Sequence, residues 1–366
     1  MKILLIAWFD PNGINTVKEH LSAIKTYSKH EVTVLNTYRV RRRFRCFFNF
    51  QIGKYDSLIF HNTVTYNIAG LRDWDRYFQP RLSEFPGFKI LMKQDEMRRV
   101  NATLDLLEEW RIGGLTTCLP DSERGKVYSP TRFPKLRVLA TKTGYVTPEM
   151  KAFRAPSLND RRLDVVYRGM PTPFEWGRLG YEKFEIAQSF KSHAQPLDLK
   201  LDISARFEDR LGGREWTDLL SSSRAALATE SGASIFDFDG SIERRCQELR
   251  AKNPEVSFEQ AYQEFLHPHD GLIKYNQISP RHIEAAYTRT AQVLYEGEYS
   301  GLIEADKDYI SLKKDYSNFD QVIEKLRDDD LLKRMTQNAY TKLIENPDLT
   351  YPNFVRQLDE LIETLS

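Results

Sequence analysis

The chain is poor in cysteine, has no long apolar run and carries no excess of either charge. Its 3 cysteines, Cys46, Cys118 and Cys246, are scattered through 366 residues. An odd, dispersed set gives no disulfide framework and no metal-ligand spacing, which fits free thiols in a reducing compartment. No stretch approaches the roughly 20 apolar residues of a membrane span. The opening run Met1-Lys2-Ile3-Leu4-Leu5-Ile6-Ala7 is too short for a signal peptide and is too soon followed by Asp10 and Pro11. It reads as a buried first strand, and a cytoplasmic location is expected. Lys plus Arg number 53 against 52 Asp plus Glu, so no global field draws in nucleic acid, and nucleic acid is excluded as a partner on this ground. Short internal repeats and low-complexity tracts are also missing.

What is present is a strand–helix alternation long enough for two domains. Residues 2–7 form a continuous apolar strand of the parallel type. A loop through Gly13, a helix over 15–27 and a strand over 31–35 complete a βαβ unit, which predicts a doubly wound sheet. Further strands are expected at 57–60, 89–92, 115–118 and 136–139, with a helix over 98–110. Residues 143–161 break every periodic pattern with Gly144, Pro148, Pro156 and their neighbours, so the domain boundary falls there. Residues 163–167 restart the theme and end on Arg168-Gly169. Alternation at Leu197, Leu199, Leu201 and Ile203 predicts an edge strand. The charged excursion from Asp237 to Asp270 holds a capping box, Ser257 with Gln260.

The chain is organised around residues 224–301. An apolar run ends on Glu230-Ser231-Gly232. After the excursion come Ile278-Ser279-Pro280-Arg281-His282-Ile283-Glu284-Ala285-Ala286 and then Gln292-Val293-Leu294-Tyr295-Glu296-Gly297-Glu298-Tyr299-Ser300-Gly301. Ser279 suits an N-cap and Pro280 the first helical position. The two loops and the helix start would share one edge of a parallel sheet, where such sheets bind ligands. Open amides at a helix start suit a phosphate.

This stretch resembles the nucleotide-binding half of GT-B glycosyltransferases of the retaining group-one kind. The match is Glu284-Ala285-Ala286 to the second of two family glutamates and Ala291-Gln292-Val293-Leu294 to the strand after it. Asn276 stands where the first glutamate would be. Glu230 is its expected counterpart, with 236–275 an insertion that splits the motif. The resemblance implies an α/β fold of two Rossmann-like doubly wound domains facing a cleft. An acceptor-side domain would span 1–150 and a nucleotide-sugar domain 161–345, with a helix over 351–366 crossing back to the first.

The resemblance also implies roles. Glu284 would accept hydrogen bonds from ribose hydroxyls, though a carboxylate near a helix start helps the dipole by itself. Arg281 and His282 in the first turn would face a diphosphate or lie in solvent. Arg168 offers bidentate phosphate contact, with Gly169 allowing close backbone approach, or pairs with a local acid. Glu230, Ser231 and Gly232 would touch the donor sugar or form a plain turn. Glu298, Tyr299, Ser300 and Gly301 would offer amides to phosphate or sugar, or form another turn. Lys313 and Lys314 follow the last strand as phosphate partners or solvated cations. In the first domain Gly13 would let the chain pass close to the donor. His61, Asp95 and Glu96 are its acid–base candidates, against core packing or capping.

The expected activity is transfer of a sugar from a UDP- or GDP-linked donor to an acceptor hydroxyl on a glycan or lipid-linked molecule, in surface polysaccharide synthesis, with retention. A nucleotide-sugar epimerase and a non-catalytic sugar-nucleotide binder are the competing readings. No cofactor or metal is expected, although Asp237-Phe238-Asp239 has the spelling of a metal site. The run over 39–48 mixes Arg39, Arg41, Arg42, Arg43 and Arg45 with Phe44, Phe47 and Phe48. It suits peripheral contact with an anionic membrane at its inner face, a lipid-diphosphate acceptor or single-stranded nucleic acid, but the preferred reading is a helix or loop with solvated arginines and inward phenylalanines.

Overall fold

The computed structural model describes every residue except Asn12, Ile14, 39–50 and 77–80. The arginine–phenylalanine run over 39–48 therefore lies outside the described residues. The chain divides into two compact units.

The first unit comprises 1–141, 236–245 and 351–366. Its sheet holds β1 (Lys2–Ala7), β2 (Glu31–Asn36), β3 (Ser57–Phe60), β4 (Phe88–Met92), β5 (Gly114–Thr117) and β6 (Arg137–Ala140). The order is β2-β1-β3-β4-β5-β6 and every pair is parallel. Ile3 to Ala7 have no exposed surface, which is why this strand reads as an unbroken apolar run: helices cover both faces of the sheet. The helix Asn15–Tyr27 buries Leu21, Ala23 and Ile24. The helix Tyr351–Glu363 packs against it, and Asp359 accepts hydrogen bonds from Ser28 Oγ (2.7 Å) and the Lys29 amide (2.9 Å).

Residues 236–245 join this unit by backbone bonds. The Val100 and Asn101 amides donate to the Asp237 (3.1 Å) and Phe238 (2.9 Å) carbonyls, so the helix Val100–Glu109 has its first donors satisfied without a side-chain cap. Glu243 accepts from Arg98 (2.8 Å) and Arg99 (3.1 Å).

The second unit comprises 142–235 and 246–350. Its strands are β7 (Leu163–Arg168), β8 (Leu201–Ser204), β9 (Ser223–Ala228), β10 (Ser231–Gly232), β11 (Asn276–Gln277), β12 (Ala291–Tyr295) and β13 (Ile310–Leu312). Five of them form a parallel sheet in the order β13-β12-β9-β7-β8. Counted from β8, the strands run second, first, third, fourth, fifth, as in the first five of the other sheet. In each the order reverses between the first and third strands, and ligands bind beyond the carboxyl ends at such a point. Val165, Tyr167, Leu227, Val293 and Ile310 build one core face with Ile186 and Phe190 of the helix Gly177–Ala194.

The edge strand is shorter than the alternation over 197–203 predicts. Leu197 and Leu199 pack on the core, but their amides turn back to the Ala194 and Leu197 carbonyls, and strand pairing starts only at Leu201. The capping box is present. Ser257 Oγ accepts from the Gln260 amide (3.2 Å) and Gln260 Oε1 from the Ser257 amide (2.9 Å).

Candidate functional site

In the second unit β7 and β9 flank the reversal. β7 ends on Arg168, whose guanidinium turns along the sheet. It donates to the Tyr167 (2.9 Å) and Asp202 (3.0 Å) carbonyls and pairs with the Asp202 carboxylate at 2.8 Å. Its Nε is buried and has no partner. Arg168 thus braces β7 to β8. Next to it, a Cβ on Gly169 would lie 2.6 Å from the Tyr167 ring, so this turn requires glycine.

The helix Pro280–Tyr287 starts beside this strand end. Ser279 has N-cap backbone angles, but its hydroxyl lies 3.2 Å from His282 Nδ1 and makes no cap bond. Arg281 donates to the Arg168 carbonyl, and its guanidinium lies 5.5 Å from both the Tyr167 and Trp216 rings. One turn on, Glu284 accepts a 2.7 Å hydrogen bond from Trp216 Nε1. Burial raises the Glu284 pKa, while the Trp216 bond and Arg281 hold it down. Arg168, Gly169, Arg281 and Glu284 are therefore brought together, with Trp216, Tyr167 and Asp202 as partners that sequence reasoning missed. Trp216 gave no usable signal, because a tryptophan on an amphipathic helix reads as core.

His282 lies in the same turn but has no exposed surface and packs 5.0 Å from the Tyr299 ring. Burial takes its pKa down to about 3, so it presents no charge to an anion at neutral pH.

At the end of β9 Glu230 turns inward. Oε1 accepts from the Glu298 (3.0 Å) and Tyr299 (2.7 Å) amides, and Oε2 from Asn276 Nδ2 (2.6 Å). Glu230 and the residue standing in the first-glutamate position thus touch. Ser231 and Gly232 pair antiparallel with Gln277 and Asn276, which closes the excursion on itself. Gly232 has φ +107°, and a Cβ there would meet the Tyr275 carbonyl at 1.8 Å. Tyr299, Ser300 and Gly301 take φ of 45°, 56° and 70°, three left-handed residues in succession. Ser300 Oγ accepts from the Ile278 amide (3.0 Å), and Glu230 supplies the other restraint. The Glu298 side chain is exposed, with Lys274 at 3.9 Å.

In the first unit the acid–base candidates lie at strand ends, and two of them, His61 and Glu96, are buried and fully bonded. His61 caps the short helix Asn62–Thr65 and is 1% exposed. Its Nε2 meets His20 Nδ1 at 2.9 Å and its Nδ1 meets Thr63 Oγ1 at 2.9 Å. Burial holds the His20 pKa to about 4 and takes that of His61 well below its ordinary value, with His20 adding repulsion. Glu96 is 2% exposed and accepts from Thr117 Oγ1, the Cys118 amide (2.8 Å) and Tyr128 Oη (2.5 Å); burial raises its pKa. Asp95 is exposed. Gly13 closes a turn by donating to the Asp10 carbonyl (2.8 Å).

The Asp-Phe-Asp spelling serves a helix start. Asp237 accepts from the Gly240 and Glu243 amides, both at 2.9 Å, and Asp239 from the Ser241 amide at 2.9 Å. These bonds open the helix Ser241–Lys252. Among the described residues no group of three His, Cys, Asp or Glu is placed to hold a metal, and no helix is long and apolar enough to cross a membrane.

Two doubly wound parallel sheets, one with a helix start, an arginine and a tryptophan-held glutamate near its reversal point, define an α/β fold with a candidate ligand edge on the second unit. No protein-family model matches the chain, and no curated protein sequence does. Solved structures do. An alpha-glucosyltransferase in complex with UDP-glucose and DNA containing an abasic site aligns over 99% of both chains, with 12% identity and a TM-score of 0.56. The DNA-modifying enzyme beta-glucosyltransferase aligns over 99% of this chain and 100% of its own, with 12% identity and a TM-score of 0.53. Anabaena HepE in complex with UDP-glucose aligns over 100% of both chains, with 10% identity and a TM-score of 0.52. The likeness establishes the fold, which is GT-B.

One expectation is corrected here. The near-balance of charge does not exclude nucleic acid, because a structure of this same fold holds DNA beside UDP-glucose. Net charge sums over the whole surface, whereas a nucleic acid strand meets a local field set by a few side chains.

Proposed function

We propose that this protein is a glycosyltransferase that moves a sugar from a nucleoside-diphosphate donor to an acceptor hydroxyl. The observation that carries the reading is the convergence of Glu284, Arg281, Trp216 and the Arg168 strand end on one helix start at the reversal point. Glu284 would take the ribose hydroxyls, oriented by Trp216. Arg281 and the helix amides would face the diphosphate as its charge builds. Glu230 would shape the 297–301 loop by holding two of its amides. In the transfer the bond from the sugar's anomeric carbon to the diphosphate oxygen breaks and a bond to the acceptor oxygen forms. The acceptor proton passes to the departing diphosphate, and the configuration is retained. No residue above is asked to hold a metal.

Synthesis of a surface polysaccharide is the role proposed. A nucleic acid acceptor is the second reading, favoured by the DNA in a structure of the same fold. Incubation with UDP- and GDP-sugars tests the function. Transfer or slow hydrolysis of the donor is expected; isomerisation of the donor sugar without acceptor would make the protein an epimerase, and binding without turnover would make it a non-catalytic partner. Glycan and single-stranded DNA acceptors, offered in parallel with labelled donor, decide between the two acceptor readings.

A further inference from the structure

The carboxyl edge of the second sheet carries Arg168, and its amino edge carries a groove. The segment 306–308 precedes β13 and stands beside the outer face of the helix Asp329–Leu343. Between them lies an open groove of about 880 Å³, lined by residues of the second unit alone. The sheet is parallel throughout, so the amino end of β13 is at the edge opposite Arg168. Leu331 and Met335 give the groove an apolar floor.

The acids of the wall are already matched. Asp308 is 2% exposed and accepts from the Glu304 amide (2.7 Å) and Lys342 Nζ (2.8 Å). Asp306 accepts from Lys325 Nζ (2.7 Å), and Glu304 from Lys307 Nζ (2.5 Å) and Lys342 Nζ (2.8 Å). Those three carboxylates and three lysines cancel one another. On the helix, Arg334 is exposed and makes no hydrogen bond or ion pair among the described residues.

The neutral groups beside Arg334 are held in place. Arg334, Asn338 and Thr341 recur at i, i+4 and i+7 on one helical face, a row about 10 Å long. Asn338 Nδ2 donates to the Lys307 carbonyl (3.0 Å), which ties the helix to the wall. Gln337 Nε2 donates to Thr341 Oγ1 (3.2 Å), and Gln337 Oε1 accepts from Arg289 (2.7 Å), whose guanidinium lies 3.6 Å from the centre of the Tyr340 ring. Arg289 and Asp306 take φ of 55° and 60°, left-handed angles that cost a residue with a side chain about 1–3 kcal/mol. A helix face that only meets water needs neither ordered amides nor strained backbone beside them. Asn338 Oδ1 and the Thr341 hydroxyl proton are left open among the described residues.

What remains is one unpaired guanidinium in a row of amide and hydroxyl groups over an apolar strip. A nucleic acid strand or a polyacidic peptide bears a charge on every unit and calls for several free cations. Lys307, Lys325 and Lys342 are not free. A guanidinium holds a carboxylate by two parallel bonds, while amide and hydroxyl groups both donate to and accept from sugar hydroxyls. We infer that this groove holds a stretch of acidic glycan, with a carboxylate on Arg334 and sugar hydroxyls on Asn338 and Thr341. The inference rests on the glycosyltransferase reading for the class of ligand. A chain gripped here stays on the protein between turnovers at the other edge.

The test is calorimetric binding to the full-length protein of three probes: hyaluronan hexasaccharide, in which every second sugar bears a carboxylate, uncharged maltohexaose, and hexaglutamate. The acidic hexasaccharide is expected to bind about tenfold more tightly than either other probe. Arg334→Ala should weaken it about tenfold, and Arg334→Lys should recover only part of that loss, because an ammonium lacks the planar fork. Asn338→Ala and Thr341→Ala should each weaken it about threefold. UDP affinity and the unfolding midpoint of Arg334→Ala should match wild type, since this exposed side chain bonds to nothing in the fold. Equal or tighter binding of maltohexaose or hexaglutamate overturns the inference, the latter in favour of an acidic protein partner. So does unchanged affinity in Arg334→Ala, or a wild type that binds none of the three. A wild type that binds the acidic hexasaccharide but neither UDP nor GDP leaves the groove standing and removes the transferase reading.

Discussion

The two sheets share a strand order, yet the titratable groups singled out at their carboxyl edges differ in how fully they are bonded. Beyond the first sheet, His61 is locked between His20 and Thr63, and Glu96 takes bonds from Thr117, Cys118 and Tyr128. Those groups are finished: every one is buried with its partners inside its own unit. Beyond the second sheet, Glu284 has one tryptophan, Lys314 one carboxylate, and Arg168 a buried nitrogen with no partner. Strand order tells where an edge is. The degree to which its polar groups are satisfied tells whether the edge is set up to receive something.

The largest effect that would break this contrast belongs to the second edge. Glu284→Ala is expected to lower kcat/KM for a UDP-sugar about 100-fold, since it removes charged hydrogen bonds worth roughly 1.5–3 kcal/mol each. Unchanged UDP affinity, measured calorimetrically, would remove Glu284 from the ribose site.

Next comes a stability effect in the first unit. His20 is held neutral, with its pKa at about 4 against an ordinary value near 6.5. Between those values the unfolded chain binds a proton that the folded one does not, so stability falls as pH drops from about 6.5 towards 4. The loss from His20 should be about 2.5 kcal/mol at pH 4.5, read from denaturant unfolding, and His20→Phe should flatten the dependence. If the pH profile of transfer instead showed an inflexion that vanished in His61→Gln, the first edge would be catalytic after all.

Smaller again is Glu230→Gln, which keeps the volume and an acceptor but weakens the hold on the Glu298 and Tyr299 amides. About 1–2 kcal/mol of stability and a several-fold loss in kcat are expected, because three left-handed residues depend on that hold. Retention of full activity with normal unfolding would show the loop to be self-supporting. Last, Asp239→Asn and treatment with a chelator should each change turnover less than twofold. A tenfold fall on chelation, restored by a divalent cation, would return the Asp237–Asp239 segment to consideration as a metal site.

The sheets were legible because a strand buried on both faces writes itself as an unbroken apolar run. Residues 2–7 and 225–228 are examples. Local stops were legible too, such as the Ser257–Gln260 box and the start at Pro280. The edge chemistry was not. Asn276 meets Glu230 across 46 positions, Trp216 meets Glu284 across 68, and Lys314 meets Glu182 across 132. No periodicity carries such pairings, since only the folded sheet sets them. The shortened edge strand failed for a related reason: Leu197 and Leu199 alternate as a strand would, but they contribute side chains to the core without sheet bonds.

The two-strand ribbon of Ser231–Gly232 with Asn276–Gln277 insulates the edge from everything hung beyond it. Chain enters and leaves that detour at neighbouring points, so Glu230 and the Pro280 helix keep their spacing whatever lies between. Loop closure entropy grows only as the logarithm of length, about 0.6 kcal/mol for a doubling. Outside residues 236–245, which the first unit holds by its own bonds, the detour is therefore free to lengthen or acquire new surface over evolutionary time without moving the carboxylate it departs from.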